Sequence, residues 1–167
     1  MLTLLAKCLK ILNSEIEPGQ ISLALCFSML MGLTPLFSLH NVFVLFAVLF
    51  IRVNLSAFLL GWGMFSLMAY LLDPLFHSLG LIVLSAPVFQ GLFTILYNIP
   101  IARVSGFNNS IVMGSLVFSL VLFVPSYIVF KILITRYRVD LLSWVQKVKL
   151  VQILKTSKLF SIYESLS

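Results

Sequence analysis

The chain has 167 residues, 61% of them apolar and only 10% charged, with a formal net charge of +6. Soluble domains carry about 25% charged residues, so a soluble fold of this length has no way to hide so much apolar surface. Between Pro18 and Phe130 the only charges are Arg52, Asp73 and Arg103, and the uncharged runs they bound are 34, 20, 29 and 27 residues long. Such runs read as membrane-embedded. They exclude a soluble enzyme, a nucleic-acid module and a disordered tail.

The leading segment is polar on one side. Thr3, Lys7, Lys10, Ser14 and Glu17 fall on one helical stripe, with Leu2, Leu5, Leu9, Leu12 and Ile16 opposite, and Pro18-Gly19 ends the pattern. Residues 2–17 are expected to form an amphipathic helix lying in the membrane interface, or packed on the protein's own cytoplasmic face. No basic region precedes the apolar stretch and no small-residue cleavage site follows, so a cleavable signal is not expected.

The first uncharged run, Pro18 to Ile51, is too long for one span and short for two. Pro35 stands in its middle, removes a helix hydrogen bond and disfavours helix at Thr34. The spacing predicts a re-entrant hairpin with its turn near the bilayer interior and Arg52 back on the entry side. A single helix kinked at Pro35 is the alternative.

The second run carries Gly61-Trp62-Gly63 and is followed by Asp73-Pro74. The glycines mark either the turn of a second short hairpin or a close-packing spot between helices. Pro74 suits a first helical position, which makes Asp73 an N-cap; with His77 four residues on, a proton-relay pair is the competing reading. Residues 81–102 and 111–130 are each expected to span fully, joined by a polar turn over 103–110.

Basic residues set the orientation. With hairpins over 20–51 and 53–80, Lys7, Lys10, Arg52, Lys131, Arg136, Arg138, Lys147, Lys149, Lys155 and Lys158 lie inside and Arg103 alone outside. Both termini are therefore expected in the cytoplasm. The chain divides into the leading helix 1–19, a membrane domain over 20–138 and a basic cytoplasmic tail over 139–167, where Trp144 beside Lys147 and Lys149 suits a membrane surface.

Chemistry-bearing motifs are scarce. Cys8 and Cys26 form no disulfide or metal pattern, His40 and His77 are the only histidines, and no nucleotide, hydrolase or metalloprotease signature occurs. No enzyme, metal site or cofactor is expected.

The stretch Gly32-Leu33-Thr34-Pro35-Leu36-Phe37-Ser38-Leu39-His40-Asn41, preceded by Pro18 and Gln20-Ile21 and followed by Arg52-Val53-Asn54-Leu55, resembles DUF2062, a bacterial membrane family known by its domain-of-unknown-function number. Gly61-Trp62, the stretch Leu72 to His77 and Phe107-Asn108-Asn109-Ser110 look like one subgroup, whose gene usually sits beside that of a much larger envelope protein. Many members carry an Asn-Pro-rich second turn where this chain has Phe65-Ser66-Leu67-Met68.

The fold expected is an all-α integral membrane protein with short broken or re-entrant helices and two longer transmembrane helices, in the bacterial inner membrane. Thr34, Pro35, Ser38, His40, Asn41, Arg52 and Asn54 are candidate lipid- or solute-binding residues, since polar groups at membrane depth are functional suspects. Equally, those around Pro35 serve to satisfy the broken backbone. Arg103, Asn108 and Asn109 are candidate contacts to a partner or headgroup. The function expected is a small subunit that receives or passes lipid for, or anchors, a larger envelope membrane protein. A small secondary transporter and a purely structural assembly factor are the alternatives. The partners expected are the phospholipid membrane and that larger protein, with no nucleic acid.

Overall fold

A computed structural model describes residues 17–141. The expected amphipathic helix over 2–17 and the basic tail from 139 lie almost wholly outside them. The described residues form helices and short connections, without a strand.

Helix α1 spans Pro18–Leu33, opening with proline at its first position, where the missing N–H costs nothing. It stops because Thr34, ahead of Pro35, is extended at φ −95° and ψ 151°. Helix α2 spans Leu39–Phe50, and α3 spans Leu55–Ser85. Asn54 caps α3, its Oδ1 accepting from the Ala57 N–H at 2.8 Å. A 3₁₀ turn at Pro87–Phe89 and two short helices, α4 over Gln90–Asn98 and α5 over Pro100–Val104, lead to α6 over Ser110–Arg136. Asn109 caps α6 by accepting from the Ile111 and Val112 N–H groups.

The core is three helices. Ser28 meets Gly61 and, one turn on, Gly32 meets Phe65 and Ser66, so α1 runs parallel to α3 with backbones close. The α6 helix is antiparallel to both: Gly80 abuts Ser110, Gly114 abuts the Phe76 backbone, and Phe65 and Phe130 face each other further along. Small residues make these approaches possible, as they do between membrane helices. The buried hydroxyls on the same faces bond within their own helices: Ser22 to Pro18 O, Ser28 to Leu25 O, Ser115 to Ile111 O and Ser119 to Ser115 O. They therefore enter the interface without an unmet donor.

Helix α2 folds back along this core. Its Val44 and Val48 join one buried cluster with Ile21, Ala24, Ala57 and Phe58, while Phe43, Leu49 and Phe50 are exposed. Arg52 lines the same cavity as Glu17 to Gln20, at the start of α1. The first uncharged run is thus a hairpin and not a kinked helix.

The second half of the chain departs from expectation. No second hairpin forms: α3 runs unbroken through Gly61-Trp62-Gly63, and Gly61 is the close-packing spot against Ser28. Phe65 to Met68 lie inside that helix. Pro74 also lies inside it, so Asp73 is mid-helix and caps nothing. Residues 81–102 are not a span. Pro87 and Pro100 force Ala86 and Ile99 out of helix, and the segment breaks into short pieces.

Two helices, α3 and α6, are long and apolar enough to cross a bilayer, at roughly 46 and 40 Å by the helical rise. Only 17% and 11% of their most apolar stretches are buried within the molecule. A soluble protein's core helix would be buried all round, whereas these present apolar side chains outward. The fold is an all-α membrane protein: one broken helical hairpin and two longer helices.

Candidate functional site

The polar residues around Pro35 close the break in the hairpin. Thr34 Oγ1 lies 2.9 Å from Leu30 O and 3.0 Å from Asn41 Oδ1. Asn41 Nδ2 donates to Pro35 O at 2.9 Å and Leu36 O at 3.2 Å, so one buried amide holds the carbonyls that the lost helical turn leaves open. Ser38 is buried just before α2, without a side-chain cap bond, and its carbonyl accepts from the Asn41 N–H. His40 is half-buried and its Nε2 has no partner among the described residues.

Beside this turn lies a cavity of about 430 Å³. Thr34, Pro35 and Leu36 form one side, and Trp62, Ser66, Tyr70 and Asp73 of α3 the other. Ile111, in the first turn of α6, also reaches it. The turn is therefore level with the middle of α3 and with the first turn of α6. The lining is apolar except for Thr34, Ser66, the Tyr70 hydroxyl and the Asp73 carboxylate. His77, one turn along from Asp73, hydrogen-bonds through Nδ1 to Ser110 Oγ at 2.6 Å instead of pairing with it.

Arg52 and Asn54 are not part of this site. Helix α1 separates the hairpin turn from Arg52 by roughly 24 Å, its 16 residues at the helical rise. At the Arg52 end, Glu17, Pro18, Gly19, Gln20, Leu23, Tyr127, Lys131 and Thr135 join it around a second cavity of about 280 Å³. Sequence reasoning missed Glu17, Gln20, Tyr127 and Lys131 as a group. The signal available was that Arg52 and Lys131 both bound apolar runs at the same membrane face.

Arg103, Asn108 and Asn109 belong to a third place. Arg103 stands over the Tyr97 ring, 5.7 Å from its centroid. Asn108 lines a cavity of about 390 Å³ with Gln90, Thr94, Tyr97 and Asn98, and Asn109 is spent on its cap. No group of three potential metal ligands occurs among the described residues.

The chain matches the family described as "Uncharacterized protein conserved in bacteria (DUF2062)" over residues 3–141, and it belongs to that family. It is 30% identical over 139 residues to an "Uncharacterized protein" of Treponema pallidum (strain Nichols), covering 83% of this chain and 85% of that one. No solved structure matches it.

Proposed function

We propose that this protein is a small subunit of the bacterial inner membrane that receives or passes lipid for a larger envelope protein, without a catalytic step of its own. The observation that carries this is the α2 arm. It is tied to the core through Val44 and Val48, leaves Phe43, Leu49 and Phe50 open to lipid, and ends at a turn that walls an apolar cavity. Backbone broken at membrane depth is tolerated only against protein or a cavity, and here it has both. The charge distribution supports cytoplasmic termini, because Arg52 and Lys131 share one end while Arg103 lies at the other.

A photoreactive phospholipid in native membranes tests this reading. Crosslinks are expected along α2 and at Trp62, with the larger partner co-purifying. Ser66→Leu, which fills the cavity, is expected to abolish lipid delivery while membrane insertion persists. Lipid delivery at the wild-type rate by the inserted variant overturns the reading.

One observation favours a small secondary transporter instead: the Asp73 carboxylate lines the cavity at the hairpin turn, where broken helices commonly bind solute. Uptake that requires Asp73 and a proton gradient would establish that second reading.

A further inference from the structure

The cavity at the Arg52 end carries a charge pattern of its own. Arg52 follows α2, Lys131 stands on α6, and Glu17 precedes α1, all three exposed and all lining one space of about 280 Å³. Among the described residues none of them is engaged in an ion pair. The Lys131 ammonium is held over the Tyr127 ring, 6.0 Å from its centroid. The Tyr127 hydroxyl faces Gly19, where an added Cβ would stand 3.3 Å from it. Two cations, one phenol and one carboxylate thus line one cavity, from the segments that open α1, follow α2 and lie on α6.

The surroundings say where an occupant comes from. Leu49 and Phe50 precede Arg52, and Val124 and Ile128 precede Lys131, all exposed. The polar cavity therefore opens beside apolar surface, as a headgroup site does whose chains remain in lipid. The volume is at the small end for ligand pockets, enough for a headgroup and not for a whole lipid.

We propose that this cavity binds an aminoalkyl phosphodiester of the phosphatidylethanolamine kind. Arg52, Lys131 and the Tyr127 hydroxyl donate to the phosphate, and Glu17 accepts from the primary ammonium. Arg52 and Lys131 answer the phosphate that all phospholipids share, so the choice between headgroups falls to Glu17 alone. Glu17 disfavours an anionic headgroup that has no amine. A quaternary ammonium, which has no N–H, gains only Coulomb attraction from Glu17. The proposal deepens the lipid-handling reading and rests on it only for lipid as the occupant.

The test is lipid retention by the full-length protein in phosphatidylcholine nanodiscs doped with phosphatidylethanolamine or phosphatidylglycerol, read by native mass spectrometry. Wild type is expected to retain phosphatidylethanolamine about tenfold over phosphatidylglycerol, the order given by one charge-assisted hydrogen bond. Glu17→Gln is expected to erase that preference while retention of phospholipid persists, which a merely structural role for Glu17 would not do. Arg52→Gln and Lys131→Gln are expected to lose retention of both lipids, and Lys131→Arg to keep it. Arg136→Gln, beyond the cavity on the same helix, is expected to behave as wild type. Circular dichroism identifies any variant that fails to fold, and the Glu17→Gln preference then decides alone. An unchanged lipid ratio in Glu17→Gln overturns the proposal, as does equal loss from Arg136→Gln. Displacement by soluble glycerophosphoethanolamine would assign the same chemistry to a soluble molecule; no displacement assigns it to the membrane lipid. Failure here leaves crosslinking along α2 untouched, so the two readings fall separately.

Discussion

Thr34 Oγ1 stands 3.0 Å from Asn41 Oδ1, seven residues apart across the Pro35 break. The Thr34 hydroxyl has a single proton, which serves either Asn41 or Leu30 O at a given moment. The amide of Asn41 does the larger share, because its two N–H donors reach both open carbonyls of the turn.

Asn41→Ala is therefore expected to destabilise the hairpin by about 0.5–1.5 kcal/mol for each of the two part-buried hydrogen bonds it removes. Thr34→Val is expected to cost less, since it leaves one carbonyl, Leu30 O, without its hydroxyl partner where Asn41→Ala leaves two. The two substitutions together should be less damaging than their sum, by about 0.5 kcal/mol or more, because they share one network. Thermal unfolding in detergent, followed by circular dichroism, measures all three.

The glycines separate packing from conformation. A Cβ on Gly114 would collide with the Phe76 backbone, and one on Gly80 with the Ser110 backbone. Neither neighbour is a flexible side-chain end, so Gly80→Ala and Gly114→Ala should each cost about 1–3 kcal/mol, as overpacking does. Gly63 has nothing within 4 Å and lies inside the same helix as Gly80. Gly63→Ala is expected to stabilise by about 0.5–1 kcal/mol through helix propensity alone. The same unfolding measurement, with opposite signs for Gly63 and Gly80, checks both.

The prolines show which part of the fold was legible. The residue before a proline resists helix, and that argument placed the break at Thr34 correctly. Applied to Asp73, it fails. Pro74 is followed by Phe76, fully buried against Phe118 and the α6 backbone at Gly114, and this packing holds the helix through the lost hydrogen bond. Pro125 sits inside α6 in the same way. Pro87 and Pro100 do break the chain, in stretches with no buried residue to hold a helix straight. Local chemistry offers the break and tertiary packing decides whether it is taken, which a single sequence does not display. The hairpin turn was legible for the same reason that it is isolated: its polar groups answer one another within eight residues. The Glu17, Arg52 and Lys131 cavity was not, because its parts come from three distant segments that meet only through the parallel packing of α1 and α3.

Asp73 separates the two functional readings. It lines the hairpin cavity half-buried, without His77 as a partner and without a cap to provide. Asp73→Asn is expected to leave both stability and lipid delivery close to wild type. Asp73→Leu should change stability by less than about 0.5 kcal/mol, well below the roughly 0.5–2 kcal/mol that loss of a cap would bring. A complementation assay at equal protein level reads the functional part. Complete loss in Asp73→Asn, with normal insertion, would promote the transporter reading.

The last prediction concerns which ends of the molecule face which side. The hairpin returns Arg52 to the level of Glu17 and Lys131, and α3 then carries the chain to the opposite end, where Gly106 forms its turn with φ at 70°. The three charges therefore divide by end, Arg52 and Lys131 at one and Arg103 at the other. Cys8 and Cys26 are replaced first, Cys26 by Ala because it is buried among the α1 contacts. Single cysteines are then placed at 52, 106 and 135 and treated in intact cells with a membrane-impermeant thiol reagent. Position 106 is expected to label from outside, and positions 52 and 135 only after the inner membrane is opened. Equal labelling of 52 and 106 from outside would mean that α1 and α2 together cross the bilayer once. That result would place Arg52 and Lys131 on opposite sides, and it would remove the shared cavity and the hairpin together.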